Sequence, residues 1–292
     1  MKMRKPHCIF ILSAACFALM PWLHAEPSAY FQPKSVRQEM LLSWEKAEGV
    51  PLPENVAGIY ELDYRKYDFK NNIAITIDDC APNQYMAADL DILKKRGIKA
   101  VFFIIGRNFV DPKGNPMPRA RELLDRVVAE GHVIGNHSYW HRRMDQGSYR
   151  DNSAALTKEI DDVQAMVDRT LGYHYPLIYF RPPDGAHSTP RYMLDEVLKE
   201  KGEYLTNWTI TSFDWCMRLP ASRPDHLGYD KVLARTLKQA KDEFGGVVLL
   251  HAFPATTAIL DDLLAQLSQA SNDRGSFTFS TLEDILRLKY VR

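Results

Sequence analysis

Cysteine is scarce in this sequence of 292 residues, which contains only four. Two of the four, Cys8 and Cys16, fall in an apolar stretch near the N-terminus, which leaves Cys80 and Cys216 for the rest of the chain. Two cysteines are too few for the disulfide scaffold of a small exported domain. The folded part must therefore depend on a hydrophobic core, and 46% of the residues are hydrophobic.

The sequence also lacks an excess of charge of either sign, since 37 lysines and arginines balance 37 aspartates and glutamates. Proteins that bind nucleic acid usually carry a basic patch or stripe. The balance therefore predicts no nucleic-acid partner. A glycine-rich dinucleotide fingerprint is missing after every apolar run that reads as a strand, and its absence disfavours an open doubly wound sheet.

Residues 1–25 have the pattern of a secretory signal peptide. Three of the first five residues are basic, an apolar stretch follows over residues 8–23, and Ala25 offers a cleavage point. The apolar stretch is short for a membrane span, and Pro21 interrupts it. We predict export to a periplasm or out of the cell, with no stable membrane span after cleavage. The alternatives are an uncleaved anchor and a lipoprotein attached at Cys16.

From residue 71 onwards, short apolar runs alternate with segments of helical periodicity. They predict strands at residues 73–77, 100–105, 132–135, 178–180, 208–210, 247–250 and 277–279, and helices at residues 85–96, 120–130, 153–170 and 281–288. This alternation indicates an α/β fold with a mainly parallel sheet, either a barrel or an open doubly wound sheet. We predict one domain over residues 71–292, preceded by an N-terminal extension over residues 26–70 with a helix near residues 34–47.

Polar side chains that could bind a metal follow two of the predicted strands. Asp78 and Asp79 come directly after the first strand, and His137 and His141 come after the third. Residues four apart face the same side of a helical turn, so both imidazoles could reach one metal ion. A catalytic zinc site takes three protein ligands, and a carboxylate can be the third. Alone, the aspartate pair is more typical of a turn or helix cap, and the histidine pair is equally consistent with a structural role.

Three further predicted strands are followed by residues that could take part in catalysis. Arg181 begins the stiff segment Arg-Pro-Pro-Asp-Gly, Asp214 and Trp215 follow another strand, and His251 ends the run Leu249-Leu250. A histidine beside a carboxylate can act as a general acid. In barrels the chemistry lies at the carboxyl ends of the strands, where all these residues are placed.

Five segments, in order, resemble the motifs of the polysaccharide deacetylase family, which is the NodB-homology domain of carbohydrate esterase family 4. The segments are residues 76–80 (TIDDC), 137–141 (HSYWH), 181–185 (RPPDG), 211–215 (TSFDW) and 249–251 (LLH). Residues 89–106 are also close to the family pattern, and the resemblance covers about residues 70–290. It implies a distorted (β/α) barrel with seven or eight mainly parallel strands.

The resemblance also implies a role for each matching residue. Asp79, His137 and His141 would bind one divalent metal ion, usually Zn²⁺. Asp78 would be the general base, with Arg181 holding it in place. His251 would be the general acid, with its pKa tuned by Asp214. The remaining roles concern substrate: Trp215 and Leu249 would wall a pocket for the acetyl methyl group, and the backbone N–H of Asp184 would donate to the oxyanion.

Cys80 stands where the family motif has glycine. A cysteine there would be strained if the backbone needs a positive φ. Cys216 directly follows Trp215. We hypothesise a Cys80–Cys216 disulfide that ties the first and fourth motif loops together, the alternative being two separate buried thiols. Asp184 stands in place of a tyrosine, which leaves the substrate preference open.

These residues predict a metal-dependent hydrolase that removes N- or O-linked acetyl groups from a carbohydrate, such as an acetylated amino-sugar polymer or oligosaccharide. One alternative is a barrel of the same fold that binds glycans without catalysis. The other is an amidase or deaminase acting on a small nitrogenous substrate. The sequence does not identify the glycan or the oligomeric state.

Overall fold

The structure is a computed structural model that describes residues 68–185 and 191–288. The predicted signal peptide and most of the predicted extension, including its helix near residues 34–47, lie outside these ranges. Of the extension's last three residues, Phe69 is buried against the core of the domain. Within the described ranges, no helix is long and apolar enough to cross a membrane.

Seven parallel strands form a sheet that curls into a half-barrel, in the order β5-β4-β3-β2-β1-β7-β6. The strands are β1 (Asn72–Cys80), β2 (Ala100–Ile104), β3 (Val133–Asn136), β4 (Tyr179–Phe180), β5 (Tyr204–Leu205), β6 (Ile210–Thr211) and β7 (Gly246–His251). β8 (Ser271–Asn272) and β9 (Gly275–Ser276) form a separate hairpin, and β10 (Thr278–Phe279) pairs in parallel with the start of β1. The predicted α/β barrel is confirmed.

Helices connect most of the parallel strands, the exception being β5 and β6, which follow one another without a helix. The helices are α1 (Gln84–Arg96), α2 (Ala120–Ala129), α3 (Ser153–Leu171), α4 (Arg191–Lys201), α5 (Tyr229–Asp242), α6 (Pro254–Gln269) and α7 (Leu282–Leu288). The sequence analysis assigned α1, α2, α3 and α7 but not the other three. Helix α1 begins at Asn83, whose side chain accepts hydrogen bonds from the next turn, and ends at Gly97 with a φ of 67°.

Alternate residues of β1 face two different cores, because successive side chains of a strand point to opposite faces. Ile73, Ile75 and Ile77 belong to the larger core, which lies between the sheet and the outer helices. Ala74 belongs to the core inside the curl of the sheet, which also contains Leu282 and Ile285 of α7. Further along β1 the inner face becomes polar, and this change opens the site at the carboxyl ends of the strands.

Candidate active site

The residues singled out in the sequence lie at the carboxyl ends of neighbouring strands. β1 lies between β2 and β7, and Asp78 is the sheet partner of His251 at the end of β7. Arg181 follows β4, and Asp214 begins a short helical turn (Asp214–Arg218) after β6. The parallel topology therefore brings residues that are far apart in sequence to one edge of the barrel.

Asp79, His137 and His141 form a cluster suited to a metal ion. Nε2 of His137 is 3.5 Å and Nε2 of His141 is 3.0 Å from Oδ1 of Asp79. All three potential ligand atoms lie within 4.8 Å of one another. Oδ1 of Asp79 is buried and accepts no hydrogen bond. A buried carboxylate oxygen this close to two imidazole nitrogens fits a divalent cation such as zinc.

Electrostatics favour the ionised form of this carboxylate. Burial by itself would raise the pKa of Asp79, but the two histidines beside it hold the pKa well below its usual range. An ionised carboxylate is the form that binds a cation.

The two histidines do not lie on a helical turn, so that part of the sequence prediction was wrong. Residues 137–141 form a loop in which Ser138 and His141 have positive φ angles of 64° and 52°. The loop is held by a buried glutamate of α3, since Oε2 of Glu159 accepts hydrogen bonds from the backbone N–H groups of Tyr139 (2.9 Å) and Trp140 (2.8 Å). Sequence reasoning missed Glu159, whose only signal was an acidic residue within an apolar helical stripe.

A backbone contact orients His137. Its Nδ1 lies 2.7 Å from the carbonyl oxygen of Arg181, and a carbonyl can only accept a hydrogen bond. Nδ1 therefore carries the proton, which leaves the Nε2 lone pair directed towards Asp79. This arrangement is common among metal-binding histidines.

Asp78 is paired with a fully buried arginine. Nη1 of Arg181 donates to Oδ1 of Asp78 at 2.7 Å and to the hydroxyl of Thr76 at 2.8 Å. Nε and Nη2 of the same guanidinium donate to the backbone carbonyls of Thr206 and Asn207. The other oxygen, Oδ2 of Asp78, lies 3.6 Å from Nε2 of His137. One oxygen is thus held by arginine while the second faces the metal-type cluster.

A histidine–aspartate pair lies on the opposite side of the site. Nδ1 of His251 is 2.8 Å from Oδ1 of Asp214. Although burial lowers the pKa of His251, the hydrogen bond with Asp214 and the nearby carboxylates raise it above its ordinary value. The imidazole also stacks on Phe253, with ring centroids 5.1 Å apart and an angle of 7° between planes, and meets Trp215 edge-on.

Asp214 itself is surrounded by donors. It accepts hydrogen bonds from the hydroxyls of Ser212 (3.0 Å) and Thr256 (2.6 Å) and from the backbone N–H groups of Trp215 (3.0 Å) and His251 (2.7 Å). Sequence reasoning identified the aspartate but not the two hydroxyls, because Thr256 comes from the start of α6, far along the chain.

The structure places the predicted substrate-contacting residues around this pair. Leu249 is buried and in register with Thr76, so it faces the inside of the curl, and Trp215 is half-buried beside His251. Asp184 is exposed and has a φ of 55° in the turn Pro183–Gly185. Its backbone therefore adopts the left-handed conformation next to the site, which an aspartate tolerates better than most residues.

The hypothesis of a disulfide between Cys80 and Cys216 is contradicted, because both are free, buried thiols. Cys80 is fully buried in the outer core, and its thiol donates to the carbonyl oxygen of Ile77 at 3.2 Å. Nor does Cys80 have a positive φ; Asp79 does, at 59°. The thiol is directed away from the site. The unusual backbone conformation belongs to Asp79, the candidate metal ligand.

A bulge in β1 explains how two consecutive aspartates serve one site. Ile77 pairs with Phe102 and Cys80 with Ile104, so that β1 contains one more residue than β2 between these pairs. Without the bulge, alternation would direct Asp78 and Asp79 to opposite faces. In residues 68–185 and 191–288, ten non-glycine residues have a positive φ, and five of them belong to the site loops: Asp79, Ser138, His141, Asp184 and Phe213. Such conformations cluster at functional sites.

Comparison with known proteins identifies the relationship. The family model described as polysaccharide deacetylase matches residues 66–203. The chain is 30% identical over 234 residues to the peptidoglycan-N-acetylmuramic acid deacetylase of Bacillus subtilis, covering 80% of this chain and 78% of that protein. The chain belongs to the polysaccharide deacetylase family. It is also 29% identical over 214 residues to a peptidoglycan-N-acetylglucosamine deacetylase of Listeria monocytogenes, but spans only 38% of that protein.

Solved structures of this deacetylase family share the fold. A CE4 esterase from Streptococcus mutans is 24% identical, with a TM-score of 0.61, over 81% of this chain and 93% of that one. A CE4 family pseudoenzyme from Bacillus anthracis is 22% identical, with a TM-score of 0.57, over 74% of this chain and 65% of that one. Because the fold occurs with and without activity, function must be argued from the side chains of the site.

Proposed function

We propose that this protein is a metal-dependent hydrolase that removes acetyl groups from a carbohydrate. The observation that carries the proposal is the shared position of three groups: the Asp79, His137 and His141 cluster, the Asp78 carboxylate held by Arg181, and the His251–Asp214 pair. Together they supply a cation site, a fixed base and an acid at one edge of the barrel.

The residues present fit a divalent cation, which we propose to be Zn²⁺ held by Asp79, His137 and His141. A cation bound there would supply Lewis-acid chemistry for attack on a carbonyl. Asp78 takes a proton from the attacking water through the oxygen that Arg181 leaves free. His251 then donates a proton to the leaving nitrogen or oxygen of the sugar, while Asp214 stabilises the imidazolium. The products are acetate and the deacetylated sugar.

The substrate side of the proposal uses the walls of the site. Trp215 and Leu249 enclose the methyl of the acetyl group, and the backbone N–H of Asp184 donates to the oxyanion. The names of the relatives support an acetylated glycan, and we propose an acetylated amino-sugar polymer or oligosaccharide outside the cytoplasm. We further propose that residues 1–25 direct export and that residues 71–292 form the hydrolase domain.

The competing function is a barrel that binds glycans without catalysis. A pseudoenzyme with the same fold supports this alternative. The presence of a base, an acid and three metal-type ligands favours hydrolysis instead. An amidase or deaminase of small molecules has no specific observation in its favour.

Metal content and acetate release test the proposal directly. The purified protein should contain about one equivalent of zinc by mass spectrometry. It should release acetate from at least one of peptidoglycan, chitin oligosaccharides and acetylated xylan. Release from none of the acetylated glycans by metal-loaded protein would contradict hydrolysis and favour the binding barrel.

Replacement of the base separates metal binding from turnover. In Asp78→Asn the amide oxygen can still accept from Arg181, but it cannot take a proton from water. We expect the rate of acetate release to fall by about 100- to 10,000-fold with metal content unchanged. Asp91→Asn, on the exposed side of α1, is the matched control. A variant at Asp78 that keeps its activity would show that the base is another group.

A further inference from the structure

Trp140 is one of four large hydrophobic side chains that are exposed in the described part of the chain. It lies one residue before His141, and 43% of its surface is accessible. Its backbone N–H is fixed by Glu159 at 2.8 Å, so the position of the residue does not depend on its side chain. An indole ring held beside the metal-type cluster is available to a bound substrate.

Two arginines lie over this ring. The guanidinium carbon of Arg107 is 5.8 Å and that of Arg142 is 5.6 Å from the centroid of Trp140. Both arginines are exposed. The turn that carries Arg107 is tied to the metal-ligand loop, because the N–H of Arg107 donates to the carbonyl oxygen of Tyr139 at 3.1 Å. The cations thus belong to the same structural unit as the histidines.

In residues 68–185 and 191–288, no carboxylate forms an ion pair with Arg107 or Arg142, and the protein partner of Arg142 is the neutral hydroxyl of Tyr149. Arg143 differs, since it forms two hydrogen bonds with the buried Asp145, at 2.6 and 3.0 Å, and interacts electrostatically with the exposed Asp184. Asp145 balances the charge of Arg143, and the charges of Arg107 and Arg142 remain beside Trp140.

We propose that Trp140, Arg107 and Arg142 form a subsite for a carboxylate carried by the glycan itself. The inference rests on the proposed deacetylase function and specifies its substrate class as an acidic acetylated glycan. Guanidinium groups bind carboxylates through paired N–H donors, and the indole provides an apolar surface for the sugar to which the carboxylate is attached. The position next to His141 places the acid on the sugar being deacetylated or on its neighbour.

Binding measurements test the subsite without relying on turnover. Three probes are compared by calorimetry on the full chain carrying Asp78→Asn: a tetrasaccharide of alternating N-acetylglucosamine and N-acetylmuramic acid, the same sugar with its carboxylates converted to methylamides, and chitotetraose. We expect the acid to bind about tenfold more tightly than the amide. Arg107→Gln and Arg142→Gln should each reduce this preference roughly threefold, and the double variant should abolish it.

Arg121→Gln is the matched control, since Arg121 is an exposed arginine of α2 that pairs with Asp125. It should leave the preference intact. Equal affinity for acid and amide, or a preference that survives in the double variant, would overturn the subsite. Acetate release by the native enzyme is measured in parallel. Release from chitotetraose without any preference for the acid contradicts the subsite alone, whereas preference without release from any probe supports the subsite and contradicts the hydrolase.

Discussion

Asp214 and Asp89 are both completely buried, yet their surroundings are opposite. Asp214 accepts hydrogen bonds from two hydroxyls and from backbone and side-chain N–H groups. Asp89, on the buried face of α1, has the hydroxyl of Thr257 beside it but accepts no hydrogen bond of ordinary geometry. Burial, together with the charge of Asp214, raises the pKa of Asp89 to about 7 despite the opposing effect of that hydroxyl. A buried carboxylate in this fold is therefore built for a charge only where donors surround it.

Helix α6 contributes one threonine to the surroundings of each of these two aspartates. The hydroxyl of Thr256 bonds to Asp214, whereas the hydroxyl of the next residue, Thr257, lies beside Asp89 and lowers its pKa by less than burial raises it. One region is organised around an anion that serves the site. The other is an apolar helix contact that accommodates a neutral acid and gains nothing from its ionisation.

Asp214→Asn should have the largest effect, because it removes the anion from the region built to hold it. The amide presents N–H groups to donors and no longer raises the pKa of His251. We expect acetate release to fall by about 100- to 10,000-fold and its alkaline limit to move to lower pH. We also expect a loss of roughly 3 kcal/mol in the free energy of unfolding.

Rate–pH profiles and urea denaturation check this prediction, with Asp225→Asn as the control. Asp225 is exposed and pairs only with Arg223 in the ion pairs of the described residues, so its loss should change neither quantity. An unchanged pH profile in Asp214→Asn would show that His251 is not tuned by its partner.

Asp89→Leu should have the next largest effect, and with the opposite sign. The folded protein keeps the proton of Asp89 up to about pH 7, whereas the unfolded carboxyl releases it near 3.8. The folded state therefore binds more protons between these values, and stability falls as the pH rises through that window, by an amount on the order of 4 kcal/mol. The leucine variant should lose this dependence and be more stable than the native protein at pH 8.

Urea denaturation at pH 5 and pH 8 measures the effect, and Asp91→Leu on the exposed side of α1 is the control. If Asp89→Leu were less stable than the native protein at pH 8, the hydroxyl of Thr257 would outweigh the cost of burying the ionised carboxylate, and the contrast with Asp214 would fail.

Glu159→Gln should have the smallest effect of the three. Glu159 resembles Asp214 in being a buried carboxylate with several donors, but it holds a loop rather than an acid–base group. Its amide form can still accept from both backbone N–H groups, so we expect metal affinity to fall by about tenfold. Chelator competition measures this affinity. The exposed Glu122→Gln is the control, and an unchanged metal affinity in Glu159→Gln would separate the loop from the metal site.

The sequence was sufficient for local features and motif positions. The apolar runs of β1, β2 and β7 and the helices α1, α2 and α3 follow from hydrophobic periodicity and, for α1, from the terminating Gly97. The predicted site residues lie together because each follows a strand, and parallel strands end at one edge. Local signals of this kind do not depend on how the chain is packed.

Features that depend on packing were missed or wrong. The adjacency of β7 to β1 brings His251 beside Asp78, and no local pattern encodes this pairing. The disulfide hypothesis failed because proximity to motif residues does not determine which face of a strand a cysteine occupies. The donors from Glu159 and Thr256 become visible only when α3 and α6 pack against the site.

The bulge in β1 has a consequence for anyone who would transplant this chemistry. The two aspartates are neighbours in the chain, but they reach the same imidazole only because one extra residue lies between the pairs Ile77–Phe102 and Cys80–Ile104. On a regular strand of another barrel, the same dipeptide would direct one of its two carboxylates to the opposite face of the sheet. The transferable unit is therefore the irregular strand end with its partner β2, and a scaffold must be chosen for that backbone before any side chain is placed.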